Sequence, residues 1–236
     1  MMRLTIVFLL TLWLSTERTE AQNWRDSLTY FNREIAAGPW STNLHQRKAT
    51  ANLQLQQWQY AIDEYDLILQ REPHNPAALF YRAYANTHLR RYQLAQHDYE
   101  SLLQFAPRHM QARLALAYVL QLMGKNMEAL DQLNQTVELH ADSAIAYATR
   151  ASLEREMKQH EPALFDWQRA SELDSQNADY IASRVDLLLS LKRNKEALRV
   201  LDEAVERGVD RARLNEWYVK CRKRKRMAAG ISLGRK

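Results

Sequence analysis

The chain has 236 residues, of which 46% are hydrophobic and 26% are charged, and its formal net charge is +5. These proportions are typical of a folded chain with one or two compact domains, and they exclude collagen-like and intrinsically disordered sequences. The sequence contains only five glycines and five prolines. Because sheet folds need turn residues every eight to twelve positions or so, this scarcity argues against a sheet-rich fold and predicts helices joined by short turns.

The first element in chain order is an apolar segment near the amino terminus. A short basic start, residues 1–3, is followed by the apolar run Leu4–Leu14. This run is too short to span a bilayer as a helix and is typical of the core of a secretory signal peptide. Thr19 and Ala21 are the small residues that a signal peptidase inspects, so we expect a signal peptide over residues 1–21, cleaved after Ala21, and export to the periplasm or beyond the cell. An uncleaved anchor and a cytosolic start are the alternatives.

The only cysteine of the chain is Cys221. A lone cysteine forms no intramolecular disulfide, so packing alone must hold the mature protein together in an oxidising compartment. We expect Cys221 to be a partly buried residue of a helix and its thiol to be incidental rather than catalytic.

An internal repeat of 34 residues follows, and Pro39, Pro73 and Pro107 show it first. Three further series share this spacing, and we call them the two small columns and the bulky column. They are Ala61, Ala95, Ala129, Ala163 and Ala197; Ala49, Ala83, Ala117, Ala151 and Val185; and Tyr65, Tyr99, Leu133, Trp167 and Leu201. Each copy has the pattern of two amphipathic helices with a tight turn between them. Since one such pair cannot bury its own apolar face, the copies must stack, which predicts an all-α solenoid.

These columns resemble the tetratricopeptide repeat (TPR) family, whose unit has small residues at its eighth and twentieth places and an aromatic residue or leucine at its twenty-fourth. The resemblance implies a right-handed α-solenoid of five helix-turn-helix repeats with helical caps at both ends. The repeats are placed at residues 42–75, 76–109, 110–143, 144–177 and 178–211. Residues 22–41 are predicted to form an N-terminal capping helix, and residues 212–236 a C-terminal capping helix with a basic tail. The departures are Asn52, Asn86 and Glu154, which occupy the eleventh place, where the family prefers apolar residues.

The seventh place of the repeat carries a basic residue in most copies, and an acid follows it 16 residues later. These pairs are Lys48 with Glu64, Arg82 with Asp98, and Arg150 with Asp166. Both charges are absent together in the third copy, and only Arg184, which faces Val200, breaks the rule. Charges that appear and vanish together at one helix crossing indicate structural ion pairs within each helix pair rather than a ligand site.

No catalytic or metal-binding motif is present in the sequence. The seven histidines show no zinc-ligand spacing, and there is no GxSxG motif or phosphate-binding glycine loop. The sequence therefore predicts no enzyme, cofactor, metal or small-molecule substrate. An enzyme with an unrecognised site would need a cluster of strongly perturbed acids, which the sequence does not indicate.

The TPR resemblance also implies a concave groove, lined by the first helix of each repeat at its second, fifth, ninth and twelfth places. The predicted partner-binding residues are Phe80, Tyr84, Thr87, Leu114, Tyr118, Gln121, Ile145, Ser152 and Arg155. Aromatic anchors within a concave surface are typical of peptide recognition, so the predicted partner is another protein. The alternative is that Phe80 and Tyr84 only pack against neighbouring repeats.

The carboxyl-terminal tail is strongly basic, with eight basic residues and no acidic ones from Lys220 onward. Its densest run is Arg222, Lys223, Arg224, Lys225 and Arg226. Such a run favours contact with anionic lipid, which gives a second interpretation, a peripheral membrane assembly factor. A solvated tail is the third alternative. Nucleic-acid binding is not expected, because export removes the usual target and the run has no aromatic residues.

Overall fold

The computed structural model describes the backbone of residues 21–228 and the side chains of residues 21–222. The predicted signal peptide, except Ala21, lies outside the described residues, and so do residues 229–236 and the side chains of residues 223–226. All regular structure in the described part of the chain is helical. Among these residues, no helix has the length and apolar character that a membrane span requires. The chain divides into two compact units, residues 1–123 and 124–236.

The first unit contains six helices in its described part. They are α1 (residues 21–37), α2 (Thr42–Gln54), α3 (Trp58–Arg71), α4 (Pro76–His88), α5 (Tyr92–Phe105) and α6 (Met110–Leu122). From α2 to α6 each helix packs on the next, and α4 also contacts α6. The helices α2, α4 and α6 are the first helices of the repeats, so contact between α4 and α6 sets neighbouring first helices side by side.

The second unit also contains six helices. They are α7 (Asn126–Leu139), α8 (Ala144–Glu156), α9 (His160–Leu173), α10 (Ala178–Ser190), α11 (Asn194–Glu206) and α12 (Arg211–Ala228). Consecutive helices pack on each other here too, and α10 contacts α12. The final helix therefore lies beside α10 as the first helix of a further repeat would.

Each first helix from α2 to α10 begins at a capping residue whose side chain accepts a hydrogen bond from a backbone N–H of the first turn. The caps recur every 34 residues and are Ser41, Asn75, His109, Ser143 and Asn177. Such caps stabilise a helix because its first N–H groups have no partner within the helix. The column of caps thus sets the start of every repeat, including those that lack the proline.

The turn between the two helices of each repeat contains one residue in the left-handed backbone conformation. These residues also recur every 34 positions and are Gln56, Arg90, Gly124, Lys158 and Lys192, with φ between 56° and 74°. Only Gly124 adopts this conformation without a steric cost. The other four carry a Cβ atom there, which costs roughly 1 kcal/mol each.

The core is built on the three repeating columns. All of their members, five in each column, are at most 2% exposed. The polar residues of the eleventh place, Asn52, Asn86 and Glu154, are buried as well. Cys221 is fully buried against the last helix pair, more deeply than the partial burial expected from the sequence.

Candidate functional site

The first helices of the first unit share a surface that we call the first-helix face. It consists of the second, fifth, ninth and twelfth places of α2, α4 and α6. Its residues are Asn43, Gln46, Thr50, Leu53, Ala77, Phe80, Tyr84, Thr87, Gln111, Leu114, Tyr118 and Gln121. None of the twelve is charged. The face is therefore made of aromatic, aliphatic, amide and hydroxyl side chains.

Two tyrosines of this face reach solvent. Tyr84 is 41% exposed and Tyr118 is 55% exposed, and they occupy the same place of neighbouring first helices. Phe80 differs, because its ring lies 5.6 Å from the ring of Tyr99 and stacks at 5.7 Å on that of His109. Phe80 thus packs within the unit, while Tyr84 and Tyr118 present their rings at the surface.

Tyr84 belongs to a cluster of three rings that the sequence did not reveal. Trp58, at the start of α3, stacks on His88 with 4.1 Å between the ring centroids and an interplanar angle of 3°. The ring of Tyr84 meets both edge-on, at 6.0 Å from Trp58 and 4.5 Å from His88. The neighbours hold the Tyr84 ring in one orientation, which lowers the entropy cost of using it as an anchor. The spacing of Tyr84 and His88, four residues apart on one helix, was the available signal.

The remaining predicted residues of this face are half-buried. The Thr87 hydroxyl donates to the backbone carbonyl of Ala83 at 2.9 Å, one helical turn earlier. Leu114 and Gln121 lie on α6 on either side of Tyr118 along the helix. Together these side chains form the surroundings of the two tyrosines.

The equivalent places of the second unit have a different character. Ile145 is exposed, and the Ser152 hydroxyl donates to the Ala148 carbonyl at 2.9 Å. The guanidinium of Arg155 lies 5.4 Å from the ring of Trp167. In α10 the corresponding places include Asp179 and Asp186, and Asp186 lies 3.5 Å from the ammonium group of Lys220. This surface therefore mixes an aliphatic side chain with charges of both signs.

The structure brings the predicted pair of Arg82 and Asp98 together and adds a second acid. Arg82 donates from Nε and one terminal nitrogen to both oxygens of Asp98, at 2.8 and 2.6 Å. Its other terminal nitrogen donates to Asp66 on α3 at 2.6 Å. Burial alone would lower the pKa of Arg82, but the hydrogen bonds to Asp98 and Asp66 outweigh it and raise the pKa. Arg82 thus connects the second helices of two successive repeats.

Arg150 has the same geometry in the second unit. It donates to both oxygens of Asp166, at 2.6 and 2.9 Å, and to the amide oxygen of Asn134 at 3.1 Å. The hydrogen bonds to Asp166 raise its pKa. The backward partners, Asp66 and Asn134, lie 16 residues before the arginine, as far as the predicted partners lie after it. The sequence interpretation recognised only the forward partner.

The first copy has an ion pair with an additional histidine. Lys48 lies 2.7 Å from Glu64, and the Nδ1 atom of His45 lies 2.6 Å from the other oxygen of that carboxylate. The His45 ring also stacks on Trp40, with ring centroids 4.1 Å apart. This pair therefore belongs to a packed cluster at the start of α2.

Arg184 has only half of this arrangement. Its terminal nitrogen donates to Gln168 at 2.8 Å, 16 residues earlier, but Val200 stands where the forward acid would be. Its buried Nε has no hydrogen-bond partner among the described residues. Burial lowers the pKa of Arg184, since no carboxylate compensates for the lost water.

Glu154 is the most perturbed acid of the described chain. It is 6% exposed, lies 3.9 Å from Arg150, and one of its oxygens has no hydrogen-bond partner among the described residues. Burial, with a smaller contribution from the charge of Asp166, raises its pKa to about 7, although Arg150 opposes the shift. One perturbed acid at a helix crossing is not the cluster that an active site would need.

The predicted basic contact lies at the end of α12. The helix continues through residues 222–226, and the side chain of Arg222 is exposed. The side chains of Lys223, Arg224, Lys225 and Arg226 lie outside the described residues. In the part of the chain that the structure describes, no group of histidine, cysteine or acidic residues is arranged to hold a metal ion.

Comparison with known proteins gives the fold. No family model matches the sequence, and no curated protein matches it. Among solved structures, the chain is similar to MamA from Desulfovibrio magneticus RS-1, with 21% identity and a TM-score of 0.61 over 70% of this chain and 93% of that one. A tetratricopeptide repeat protein from Parabacteroides merdae gives 19% identity and a TM-score of 0.62, over 89% and 86% of the two chains.

A third similar structure is YrrB, described as a TPR protein with an unusual peptide-binding site. It is 18% identical, with a TM-score of 0.57 over 79% of this chain and 96% of that one. At such identities these likenesses show the fold alone. The protein has an all-α, TPR-like solenoid fold.

Proposed function

We propose that the protein is an exported, non-catalytic adaptor, and that a segment of a partner protein binds to the first-helix face of its first unit. The observation that carries this proposal is the pair Tyr84 and Tyr118, which are 41% and 55% exposed at equivalent places of adjacent helices. Tyrosine rings offer a large contact area at low entropy cost and still have a hydroxyl for a hydrogen bond. Residues of this kind dominate the energetics of peptide and protein interfaces.

The composition of the face indicates the chemistry of the partner segment. Because none of the twelve places is charged, a charged side chain of the partner would lose water there and gain no opposite charge. The contacting residues of the partner should therefore be uncharged and apolar or aromatic. Both an extended segment and an amphipathic helix can present such residues. The peptide-binding site described for YrrB, a protein of similar fold, supports this choice.

A peptide selection tests the proposal. Peptides displayed in a random library are selected on the wild-type protein and then measured against a Tyr84→Ala, Tyr118→Ala double variant. We expect the double variant to bind the selected peptides at least about tenfold more weakly, as for the loss of an anchor. The matched control is Tyr60→Ala, since Tyr60 is an exposed tyrosine of α3, outside the face. Equal loss in the control, or unchanged binding by a double variant that melts normally, would exclude the face.

The basic tail carries the second candidate function, docking on an anionic membrane surface. The supporting observation is that α12 continues through the five basic residues 222–226. Vesicles containing phosphatidylserine should then retain the wild-type chain at low salt and release it at high salt. A variant with glutamine at these five positions should not be retained. If the vesicles retain neither protein, the tail has no role in lipid binding.

Export rests on the apolar run Leu4–Leu14 and the small residues before Gln22. Amino-terminal sequencing of the protein isolated from its natural compartment is the direct measurement. We expect a chain that begins at Gln22, in the periplasm or the medium. An unprocessed chain in the cytosol would contradict export without affecting the first-helix face.

A further inference from the structure

A cleft of about 450 Å³ opens in the first unit, between the second helices α3 and α5 and above α4. We call it the Arg82 cleft. Arg82, Asp66 and Asp98 lie within it, and Leu79 and Ser101 form part of its wall. Its volume is within the range of sites for small ligands or single side chains of a partner. The first-helix face contributes none of its lining residues, so the cleft is separate from the proposed peptide site.

The charges of the cleft do not cancel. Both oxygens of Asp98 accept hydrogen bonds from Arg82, and Asp98 is almost fully buried, so this pair is closed. Asp66 gives only one oxygen to Arg82, and its side chain is 44% exposed. Two carboxylates against one guanidinium leave the cleft with a formal charge of −1. The oxygen of Asp66 that Arg82 does not use is the acceptor available to a ligand.

The second unit shows what fills the same position in another repeat. At a spacing of two repeats, Leu79 corresponds to Tyr147 and Ser101 corresponds to Arg169. The guanidinium of Arg169 lies 6.0 Å from the Tyr147 ring and pairs with Glu172 at 2.6 Å. A built-in guanidinium thus lies where the first unit has only the small side chain of Ser101.

The acid of the cleft varies together with this cation. Asp66 corresponds to Asn134, so the repeat with the built-in Arg169 has a neutral amide beside its seventh-place arginine. The repeat without the built-in cation has a carboxylate there instead. The carboxylate is thus present where the cation is missing and absent where the cation is part of the chain.

We propose that the Arg82 cleft binds a guanidinium or ammonium group, supplied by an arginine or lysine side chain of a peptide. The group pairs with the free oxygen of Asp66, and the polar lining of the cleft, including His97 and Gln104, offers further acceptors. The charge of the ligand brings the local sum to zero. This inference does not depend on the proposed function, because it concerns a different surface.

A titration with a minimal probe tests the site. Acetyl-arginine amide is added to the full protein while the ring signals of His74 and His97, which line the cleft, are followed by NMR. Acetyl-citrulline amide, which has the same shape without the charge, is the control probe. We expect saturable shifts with the arginine probe and at least about tenfold weaker binding of the citrulline probe. Equal binding of the two probes, or no binding of either, would overturn the proposal.

Two substitutions that the second unit already tolerates locate the site. Asp66→Asn reproduces Asn134, and Ser101→Arg reproduces Arg169, so neither should prevent folding. The first should weaken binding of the arginine probe at least about tenfold, and the second should abolish it. Asp63→Asn is the matched control, because Asp63 is an exposed acid of the same helix outside the cleft, and it should leave binding unchanged. Loss in Asp63→Asn alone, or unchanged binding in Asp66→Asn, would contradict the assignment.

A third arm distinguishes the sources of the cation. Putrescine represents a free polyamine, and a short peptide with one arginine between alanines represents a partner chain. Stronger binding of the peptide than of putrescine supports a protein ligand. Stronger binding of putrescine overturns the peptide source, although the cationic chemistry of the site would stand.

Discussion

The first-helix faces of the two units are built on the same repeat and differ in the residues that they expose. The face of the first unit has no charge and two exposed tyrosines, Tyr84 and Tyr118, whereas the second unit has Arg155, Asp179 and Asp186 at equivalent places. The buried columns are the same in both units. The columns therefore carry the fold, and the places outside them are free to differ between copies, so functional differences should be sought there.

The seventh place gives the same contrast in the core. Arg82 is paired on both sides, by Asp66 and Asp98, while Arg184 has Gln168 on one side and Val200 on the other. A buried charge is stabilising only where its partners are complete. The same substitution at the two arginines should therefore have opposite effects on the free energy of unfolding, which is the basis of two of the predictions.

The largest effect is expected for Arg82→Met. This change leaves the buried carboxylate of Asp98 without its two hydrogen bonds and should lower the free energy of unfolding by about 3–5 kcal/mol. Urea unfolding followed by circular dichroism measures it, with Arg33→Met as control, since Arg33 is exposed on α1. An unchanged midpoint for Arg82→Met would show that the pair does not stabilise the fold.

The next effect concerns Glu154, whose pKa is raised from 4.5 to about 7 in the folded protein. Between these values the folded chain keeps a proton that the unfolded chain releases, so stability is lost as the pH rises through about 7. Glu154→Gln removes this loss and should be more stable than wild type by on the order of 2–3 kcal/mol at pH 8, with little difference near pH 4.5. Thermal melts of both proteins across this range measure the gap. A gap that does not change with pH would contradict the buried ionisation.

A smaller effect of opposite sign to that of Arg82 is expected for Arg184→Met. The change removes a buried Nε that has no partner among the described residues, while Val200 has no charge to lose. The free energy of unfolding should rise by about 1–2 kcal/mol. A loss as large as that of Arg82→Met would mean that pairing with Gln168 alone is sufficient to stabilise the buried charge.

The smallest effect concerns the turns. Lys158 has φ of 62°, a conformation that costs roughly 1 kcal/mol for a residue with a Cβ atom, so Lys158→Gly should raise the stability of the second unit by up to about that amount. Gly124→Ala should lower stability by a similar amount, because the added methyl group meets no neighbouring atom and only the backbone conformation is strained. Equal effects of the same sign in both variants would contradict this explanation.

The 34-residue spacing predicted the helical fold and the buried columns, because each column has a constant residue type along the sequence. It predicted the partners of Arg82 and Arg150 that follow them, since these are aspartates in both copies. Asp66 and Asn134 escaped notice because their type changes between copies. A spacing rule cannot separate a ring that packs, as Phe80 does against Tyr99, from a ring that reaches solvent, since the difference depends on neighbouring helices.

The Trp58, Tyr84 and His88 cluster shows the same limit from the opposite direction. Trp58 belongs to the second helix of one repeat and the other two rings to the first helix of the next, so only the folded chain brings them together. The chemical character of the first-helix face could be read from the sequence. Its exposed part, and the ring cluster that orients Tyr84, required the structure.

The most direct test of the central claim is photo-crosslinking from the first-helix face. Benzoylphenylalanine is placed at Tyr118 in one protein and at Tyr60 in another, and each is irradiated with a peptide selected on the wild type. We predict a crosslink from position 118 that excess unlabelled peptide abolishes, and none from position 60. A crosslink from position 60 alone, or equal crosslinks from both positions, would contradict the assignment of the first-helix face as the partner-binding surface.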